Sequence, residues 1–597
     1  MAKKKIQFMD TSFRDGFQSV YGARVLTKHF LPAVEASREA GITHFEAGGG
    51  ARFQSLFFYC NESAFDMMDA FRKTAGPDAN LQTLARGINV VALSQQPKDI
   101  IQLHAKMFKK HGMTTIRNFD ALNDVRNLEY SGQCIHEAGL HHQVVISIMD
   151  LPPGCEGAHT AEFYLAKLQQ ILDSGLPFDS ICFKDASGTA NQRKVYETFL
   201  GARKMLPEKT ILWFHTHDTA GNAIAQNLAA IAGGATGIDL AKSPVSHGTS
   251  QADILTMWHA LKGTDYTLDV DYAKILTASE VFEDCMQHYY VPPEAKMVSP
   301  VIPLSPMPGG ALTANTMMMR DTGTLHLFKD VIKEMSEVVR KGGFGTSVTP
   351  VSQFYFQQAY LNVTQGRWKK IWKDYGDMVL GYFGRTPVAP DPEVVKLAEV
   401  QLGKPFFSGD PLDLLDPGIP KAKKILEDNN LPVTDENIFI LASCEKKGLD
   451  YLQGKSEVNI RFKEHEDFGH GATIRETGGA RSYSITVEGK TYDVLVEEGS
   501  IMAAQAKTAG IKPVATTIHA PTAATHDGQA ITAPTPGIIV KLRVKEGDQV
   551  EKDQTVVEME AMKMVSEVRA PKAGLVIHIS VAEGESVQTG DALLTLG

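Results

Sequence analysis

The chain has 597 residues, 43% hydrophobic and 22% charged, with a formal net charge of −10. That balance describes an ordinary globular protein long enough for several domains, and it gives no reason to expect a nucleic-acid partner. No apolar stretch approaches the ~20 residues of a membrane helix, so any membrane link has to come from a partner. Cys60, Cys134, Cys155, Cys182, Cys285 and Cys444 are scattered without a CxxC pair. They read as reduced thiols of a cytoplasmic protein, not as a disulfide frame or zinc site.

From the N-terminus, apolar runs alternate with amphipathic stretches such as Phe30–Ala40 and Val195–Met205. The predicted strands are Ile6–Asp10, Thr43–Ala47, Leu81–Ala85, Thr114–Asn118, Gln143–Ile148, Ser180–Phe183, Ile211–Phe214 and Gly237–Leu240. Eight β-α units over residues 1–300 predict an α/β fold, a TIM (β/α)8 barrel. Polar residues collect just after these strands: Arg14-Asp15, Arg86, Asn118, Asp150, Lys184-Asp185 and His215-Thr216-His217-Asp218. Strand C-termini are where this fold builds active sites.

Residues 301–465 read as a helical extension and 466–500 as a small β-containing segment. Residues 501–530, rich in Ala and Thr with Pro513, Pro521 and Gly528, read as a flexible linker. In residues 531–597 the sequence repeats. Ala533-Pro534-Thr535-Pro536-Gly537 returns as Ala570-Pro571-Lys572-Ala573-Gly574, and Val544, Gly547 and Val550 return as Val581, Gly584 and Val587. Two such halves pack as a flattened β-barrel with quasi-two-fold symmetry and leave Lys563 in the turn between them. Ala561-Met562-Lys563-Met564, which follows Glu560, closely resembles the attachment site of biotin carboxyl carrier domains, which implies covalent biotin on Lys563.

In the barrel, His215 and His217 alternate at the end of strand seven, so both imidazoles face one ion. Asp15, at the end of the first strand, is the natural third ligand of a divalent zinc, manganese or cobalt ion. Lys184 ends strand six. A buried amine beside a dication deprotonates or is modified, and reaction with CO2 makes it a carbamate, an anionic oxygen ligand. The residue chemistry equally admits a Lys184–Asp185 or Lys184–Asp218 ion pair.

Several stretches together resemble the carboxyltransferase domain of biotin-dependent 2-oxo acid carboxylases. They are Asp10-Thr11-Ser12-Phe13-Arg14-Asp15-Gly16-Phe17-Gln18, Leu84-Ala85-Arg86-Gly87, Phe183-Lys184-Asp185, His215-Thr216-His217-Asp218 and Pro308-Gly309-Gly310-Ala311-Leu312-Thr313. That group includes the B subunit of pyruvate carboxylase, the oxaloacetate decarboxylase alpha subunit and the 2-oxoglutarate carboxylase large subunit. The resemblance implies that Asp15, carbamylated Lys184, His215 and His217 hold the metal. It also implies that Arg86 and Gln18 bind the 2-oxo acid with Arg14 beside them, and that Thr313 relays a proton between biotin and the enol. The implied reaction moves a carboxyl group between carboxybiotin and a 2-oxo acid, pyruvate/oxaloacetate ahead of others.

No ATP-grasp segment is visible, so a separate biotin carboxylase chain is the expected partner, or membrane decarboxylase subunits if the reaction runs toward decarboxylation. A biotin protein ligase and a homo-oligomer through the barrel are also expected. An isopropylmalate-synthase-like condensing enzyme shares the Arg-Asp-Gly start and the HxH pair. Lys184 and the terminal domain argue against it, and the intact ligand set argues against a non-catalytic scaffold. One local pattern departs from the pyruvate type. Gly49-Gly50-Ala51-Arg52-Phe53-Gln54 has Arg and Gln where Thr and Asp are familiar, Leu93 replaces a tyrosine, and Phe17 replaces a histidine. With Arg52 and Gln54 facing the pocket, a second substrate carboxylate, as in 2-oxoglutarate, is favoured.

Overall fold

The alternating runs of the first half close into a cylinder. The computed structural model describes residues 3–463, 481–487, 490–496, 528–535, 537–561, 564–587 and 589–597. Eight parallel strands form the barrel: β1 (Lys4–Asp10), β2 (His44–Glu46), β3 (Asn80–Ala85), β4 (Thr115–Asn118), β5 (His141–Ser147), β6 (Ser180–Asp185), β7 (Ile211–Thr216) and β8 (Gly237–Leu240). β1 pairs with β8 from Gln7↔Gly237 to Asp10↔Leu240 and with β2 at Asp10↔Phe45, which closes the ring. A ninth strand, β9 (Tyr266–Leu268), not anticipated from the sequence, adds to the start of β1.

The expected strands are all present, and two run further than expected at their C-terminal ends. β6 and β7 continue as a paired ladder through Lys184↔His215 and Asp185↔Thr216, which puts the amine and the first imidazole side by side. Asp15 differs from expectation. β1 stops at Asp10, whose side chain accepts from the Ser12 amide at 3.1 Å. Ser12–Gly16 then forms one buried π-helical turn, so Asp15 sits on a turn above the strand.

The interior of such barrels is usually filled by branched aliphatic side chains. Here it carries charge. Arg117 on β4 reaches across to Asp239 on β8, with Nη2 3.0 Å from Oδ1, and its Nε donates to Gln143 on β5 at 2.5 Å. β4 and β8 are not neighbours in the sheet, so this bond passes through the barrel. Both residues are fully buried.

Residues after the barrel divide into two packing groups. The helices Gly309–Asp321, Phe328–Lys341 and Val351–Gln365 share one apolar cluster with Leu84, Phe119 and Leu122, and so cap the barrel's C-terminal face. The helices Gly418–Asp428 and Asp435–Leu452 instead pack on the barrel flank, where the Phe439 ring lies 5.4 Å from that of Phe53. The expected linker lies, except for residues 528–530, outside the described residues.

The terminal domain is two four-stranded antiparallel sheets around Ile539, Val550, Val557, Val576, Val587 and Leu594. The repeat is visible in its pairing. Gly537–Leu542 pairs with Ser586–Val587, and Gly574–Ile579 with Gln549–Val550, so each half supplies the partner of the other. Strands Thr555–Ala561 and Met564–Arg569 pair to their ends at Ala561↔Met564. Met562 and Lys563 between them lie outside the described residues. Among those described, no helix is long and apolar enough to cross a membrane.

Gly237 packs directly on the Trp213 ring, where a Cβ would lie 1.6 Å from a ring carbon. Overpacking of this kind costs about 1–3 kcal/mol and often more. Gly237→Ala is therefore expected to lower the thermal midpoint or the yield of folded protein; an unchanged melting curve contradicts the packing.

Candidate active site

Above the charged interior, β-α loops meet in a small inner cavity of about 30 Å³. Arg14, Asp15, Gln18, Arg86, Lys184 and His217 line it, with Leu84, Phe119, Ala186 and Val348 as apolar walls. A larger mouth of about 280 Å³ lies outside, sharing Gln18, Arg86, Gly310 and Thr349 with the inner cavity.

Asp15, His215 and His217 place one ligand atom each within 4.8 Å of one another. The ring nitrogens are ordered for this. His215 Nδ1 lies 2.6 Å from an Asp239 oxygen, and His217 Nδ1 lies 2.7 Å from the Thr249 carbonyl. Each Nδ1–H has an acceptor, so each Nε2 lone pair points inward, 3.3 and 3.2 Å from Asp15 Oδ2. Three electron-rich atoms facing one another are stable only around positive charge, and the donor set of two imidazoles and a carboxylate fits a divalent ion. Burial opposes charge on Asp15, yet the neighbouring Arg14 guanidinium holds its carboxyl well below the usual carboxylate range.

Lys184 Nζ lies 2.8 Å from His215 Nε2 and 3.9 Å from Asp15 Oδ2. Burial, aided by Arg14, pushes its pKa down, although Asp15 opposes the shift. A neutral amine is the form that reacts with CO2. Neither alternative ion pair forms: Asp185 accepts from Ser187, Gly188, Ala190 and Gln226, and Asp218 faces His247 at 2.8 Å. Two other polar residues after strands are structural. Asn118 accepts from the Gly87 amide at 3.0 Å, and Asp150 pairs with Lys194.

The two guanidiniums of the cavity differ in their partners. Arg14 is neutralised by Glu46 and by Asp15 at 3.3 Å. Arg86 has only carbonyls, those of Val91 at 2.6 Å and Ala92 at 3.0 Å, and among the described residues no carboxylate pairs with it. Its loop is strained to provide them: Val90 has φ 45 and ψ −104, an unfavourable region for a β-branched residue. Burial, with Arg14 nearby, lowers the Arg86 pKa to about 9. Gly49 lets the chain pass, since a Cβ there would meet Thr83 Oγ1 at 2.0 Å.

Three sequence expectations change. Arg52 does not face the cavity. It is fully buried, donates to the Ala23 carbonyl at 2.7 Å and lies 5.5 Å over the Phe17 ring. Two departures from the pyruvate-type pattern, Arg52 and Phe17, thus touch each other away from the substrate. Gln54 does line the mouth, but its amide donates to the Ser443 carbonyl at 2.8 Å. Thr313 is buried on the Gly309–Asp321 helix, and its hydroxyl donates to the Ser19 carbonyl at 2.5 Å, lining neither cavity.

Sequence reasoning missed Arg117, Asp239, Gln251 and Thr349. Gln251 Nε2 lies 3.1 Å from Asp15 and 3.2 Å from His217 Nε2. The available signal was a charged residue inside a buried strand, Arg117 in Thr-Ile-Arg-Asn and Asp239 in Gly-Ile-Asp-Leu.

Groups that orient metal-binding imidazoles typically contribute about 10–100-fold in affinity. Asp239→Asn is expected to weaken divalent-metal retention by that order, and Lys184→Ala to lower it without rescue by bicarbonate. Metal content after dialysis against a chelator, with circular dichroism as the folding control, checks both; wild-type retention contradicts the ligand set.

Comparison with known proteins adds independent findings. Residues 302–496 match the family described as a conserved carboxylase domain, and residues 529–596 match the biotin-requiring enzyme family. The chain is 31% identical to the B subunit of pyruvate carboxylase from Methanocaldococcus jannaschii over 94% of both chains. It is 29% identical to the 2-oxoglutarate carboxylase large subunit of Hydrogenobacter thermophilus, covering 95% of this chain and 91% of that one. In fold it matches the carboxyl transferase domain of Rhizobium etli pyruvate carboxylase, with a TM-score of 0.69 at 24% identity over 76% of this chain and 79% of that one. The barrel with its polar mouth, the carboxylase-type helical segment and the biotin-type terminal domain come in one order along one chain, which belongs to the biotin-dependent carboxylase family and is a biotin-dependent carboxyltransferase.

Proposed function

We propose that this chain transfers a carboxyl group between biotin on Lys563 and pyruvate, as the carboxyltransferase and carrier subunit of a carboxylase whose ATP-dependent biotin carboxylase is a separate chain. The observation that carries the substrate assignment is Arg86. It is the cavity's one guanidinium without a carboxylate partner among the described residues, and it stands in a small space walled by Leu84, Phe119 and Val348. One uncompensated cation and apolar walls suit a short 2-oxo monocarboxylate. In 2-oxoglutarate the second carboxylate is not the transferred group and needs a cation of its own, and Arg52 is packed elsewhere. The partner assignment is supported by similarity over nearly the whole chain to a relative that is itself one subunit of a pyruvate carboxylase.

Arg86 holds the substrate carboxylate and Gln18 orients it, while Arg14, neutralised by Glu46 and Asp15, donates to Gln18 Oε1 at 3.4 Å and so fixes that amide. Asp15, His215, His217 and carbamylated Lys184 would hold a divalent ion, which supplies Lewis acidity toward the 2-oxo group. Biotin supplies the carboxyl carrier. The relay implied for Thr313 requires its hydroxyl to leave the Ser19 carbonyl. Thr349, unlike Thr313, lines both cavities.

A side-by-side transfer assay with pyruvate and 2-oxoglutarate tests the substrate. Pyruvate preference is expected, unchanged by Arg52→Met, whereas Arg86→Met is expected to reduce kcat/KM by roughly 10–100-fold, the worth of a charge-assisted pair. Preference for 2-oxoglutarate, or its loss in Arg52→Met, contradicts the assignment. Lys563→Arg keeps the charge but cannot form the amide, so intact mass is expected to show no biotin adduct after co-expression with a biotin ligase, and carrier-dependent transfer is expected to vanish.

A further inference from the structure

The helix Asp435–Leu452 is broken at Glu445, whose φ 46 and ψ −127 are strained for any residue with a side chain. The break falls at the outer mouth of the active site, with Glu445, Lys446 and Lys447 on its rim. Gln54 ties the preceding helical turn down through the Ser443 carbonyl, so the break is held in place by the short helix Gly50–Ser55, whose first residue borders Arg86. From the rim, Lys447 Nζ reaches Glu560 Oε2 of the terminal domain at 3.4 Å. Glu560 directly precedes the biotin-attachment run Ala561-Met562-Lys563-Met564 and is itself part of the mouth. A second, separate contact is made by Gln365, whose side-chain amide donates to the Pro534 carbonyl.

We infer that Lys447, presented by the strained break at Glu445, is a docking residue that steers the carrier domain onto the carboxyltransferase mouth through Glu560. The inference rests on the reading of the terminal domain as a biotin carrier serving this cavity. Its physics suits a carrier that must leave again. The Lys447 side chain is 44% exposed and that of Glu560 21% exposed, so the pair is partly hydrated, screened by salt and weak. An attraction between half-exposed charges speeds encounter without trapping the complex. A strained residue persists only where its surroundings over-determine it, and here the strain places a cation beside the carrier's path. Lys447 is a positioning residue and touches no reacting atom.

The test compares two forms of the full chain, read as rapid pyruvate release from oxaloacetate as its carboxyl group passes to biotin: the biotinylated chain in a single turnover onto its own carrier, and the non-biotinylated chain supplied with free biotin. Lys447→Glu is expected to slow the carrier-dependent reaction roughly threefold to tenfold, as expected for a weak ion pair turned repulsive. It is also expected to flatten that reaction's salt dependence, leave the free-biotin reaction within about twofold, and be matched by wild-type behaviour in Lys447→Arg. Equal slowing of both reactions, or of neither, overturns the inference. A wild-type chain inactive in both forms counts against the proposed function instead. A substrate-independent measurement then decides the docking: Lys447→Cys/Glu560→Cys is expected to cross-link with bismaleimidoethane above both single-cysteine controls, and cross-linking at control level overturns it.

Discussion

The buried pair between Arg117 and Asp239 underlies the site. It crosses the barrel from β4 to β8, and its acid also accepts from His215 Nδ1. Burial disfavours charge on Asp239, but Arg117 and His215 hold its carboxyl well below the usual range. A permanently ionised acceptor fixes the His215 tautomer, and that tautomer turns Nε2 toward Asp15 and Lys184. Remove the pair and the imidazole has no reason to present its lone pair.

Such a pair is poor evidence for stability. Taking two charges out of water costs several kcal/mol each, and apolar replacements of similar volume are often neutral or stabilising. This barrel nevertheless places Arg117, Asp239, Arg14, Glu46 and Gln143 where aliphatic layers would pack. The stabilising burial is elsewhere, in the helical ring around the cylinder and in the cluster that joins the capping helices to Leu84 and Phe119. The interior is given to orienting a site.

The cap closes the barrel top into a small polar space with one unpaired guanidinium, and the terminal domain keeps a core of its own. Two of the contacts it makes with the body among the described residues, Lys447 with Glu560 and Gln365 with Pro534, are polar. Apolar contact would hold a carrier at one site, whereas polar contact lets it arrive and leave.

The sequence by itself determined the eight barrel strands, the repeated terminal domain and most of the residues that meet in the cavity. Alternation, spacing and turn residues are local signals that end the sixth and seventh strands near Lys184 and His215, but the ladder that sets the two side by side belongs to the closed barrel. It did not determine which side chains are spent elsewhere. Arg52 reads as a pocket cation, but tertiary packing lays it over Phe17. Thr313 reads as a free hydroxyl, but the fold gives it the Ser19 carbonyl. Asp239 and Arg117 read as ordinary strand residues until the barrel closes and sets them opposite each other. Those outcomes depend on contacts between residues from about 30 to almost 300 positions apart in sequence, which no local pattern encodes. Only closure of the barrel and its cap decides which buried guanidinium finds a carboxylate and which, like Arg86, meets only carbonyls among the described residues.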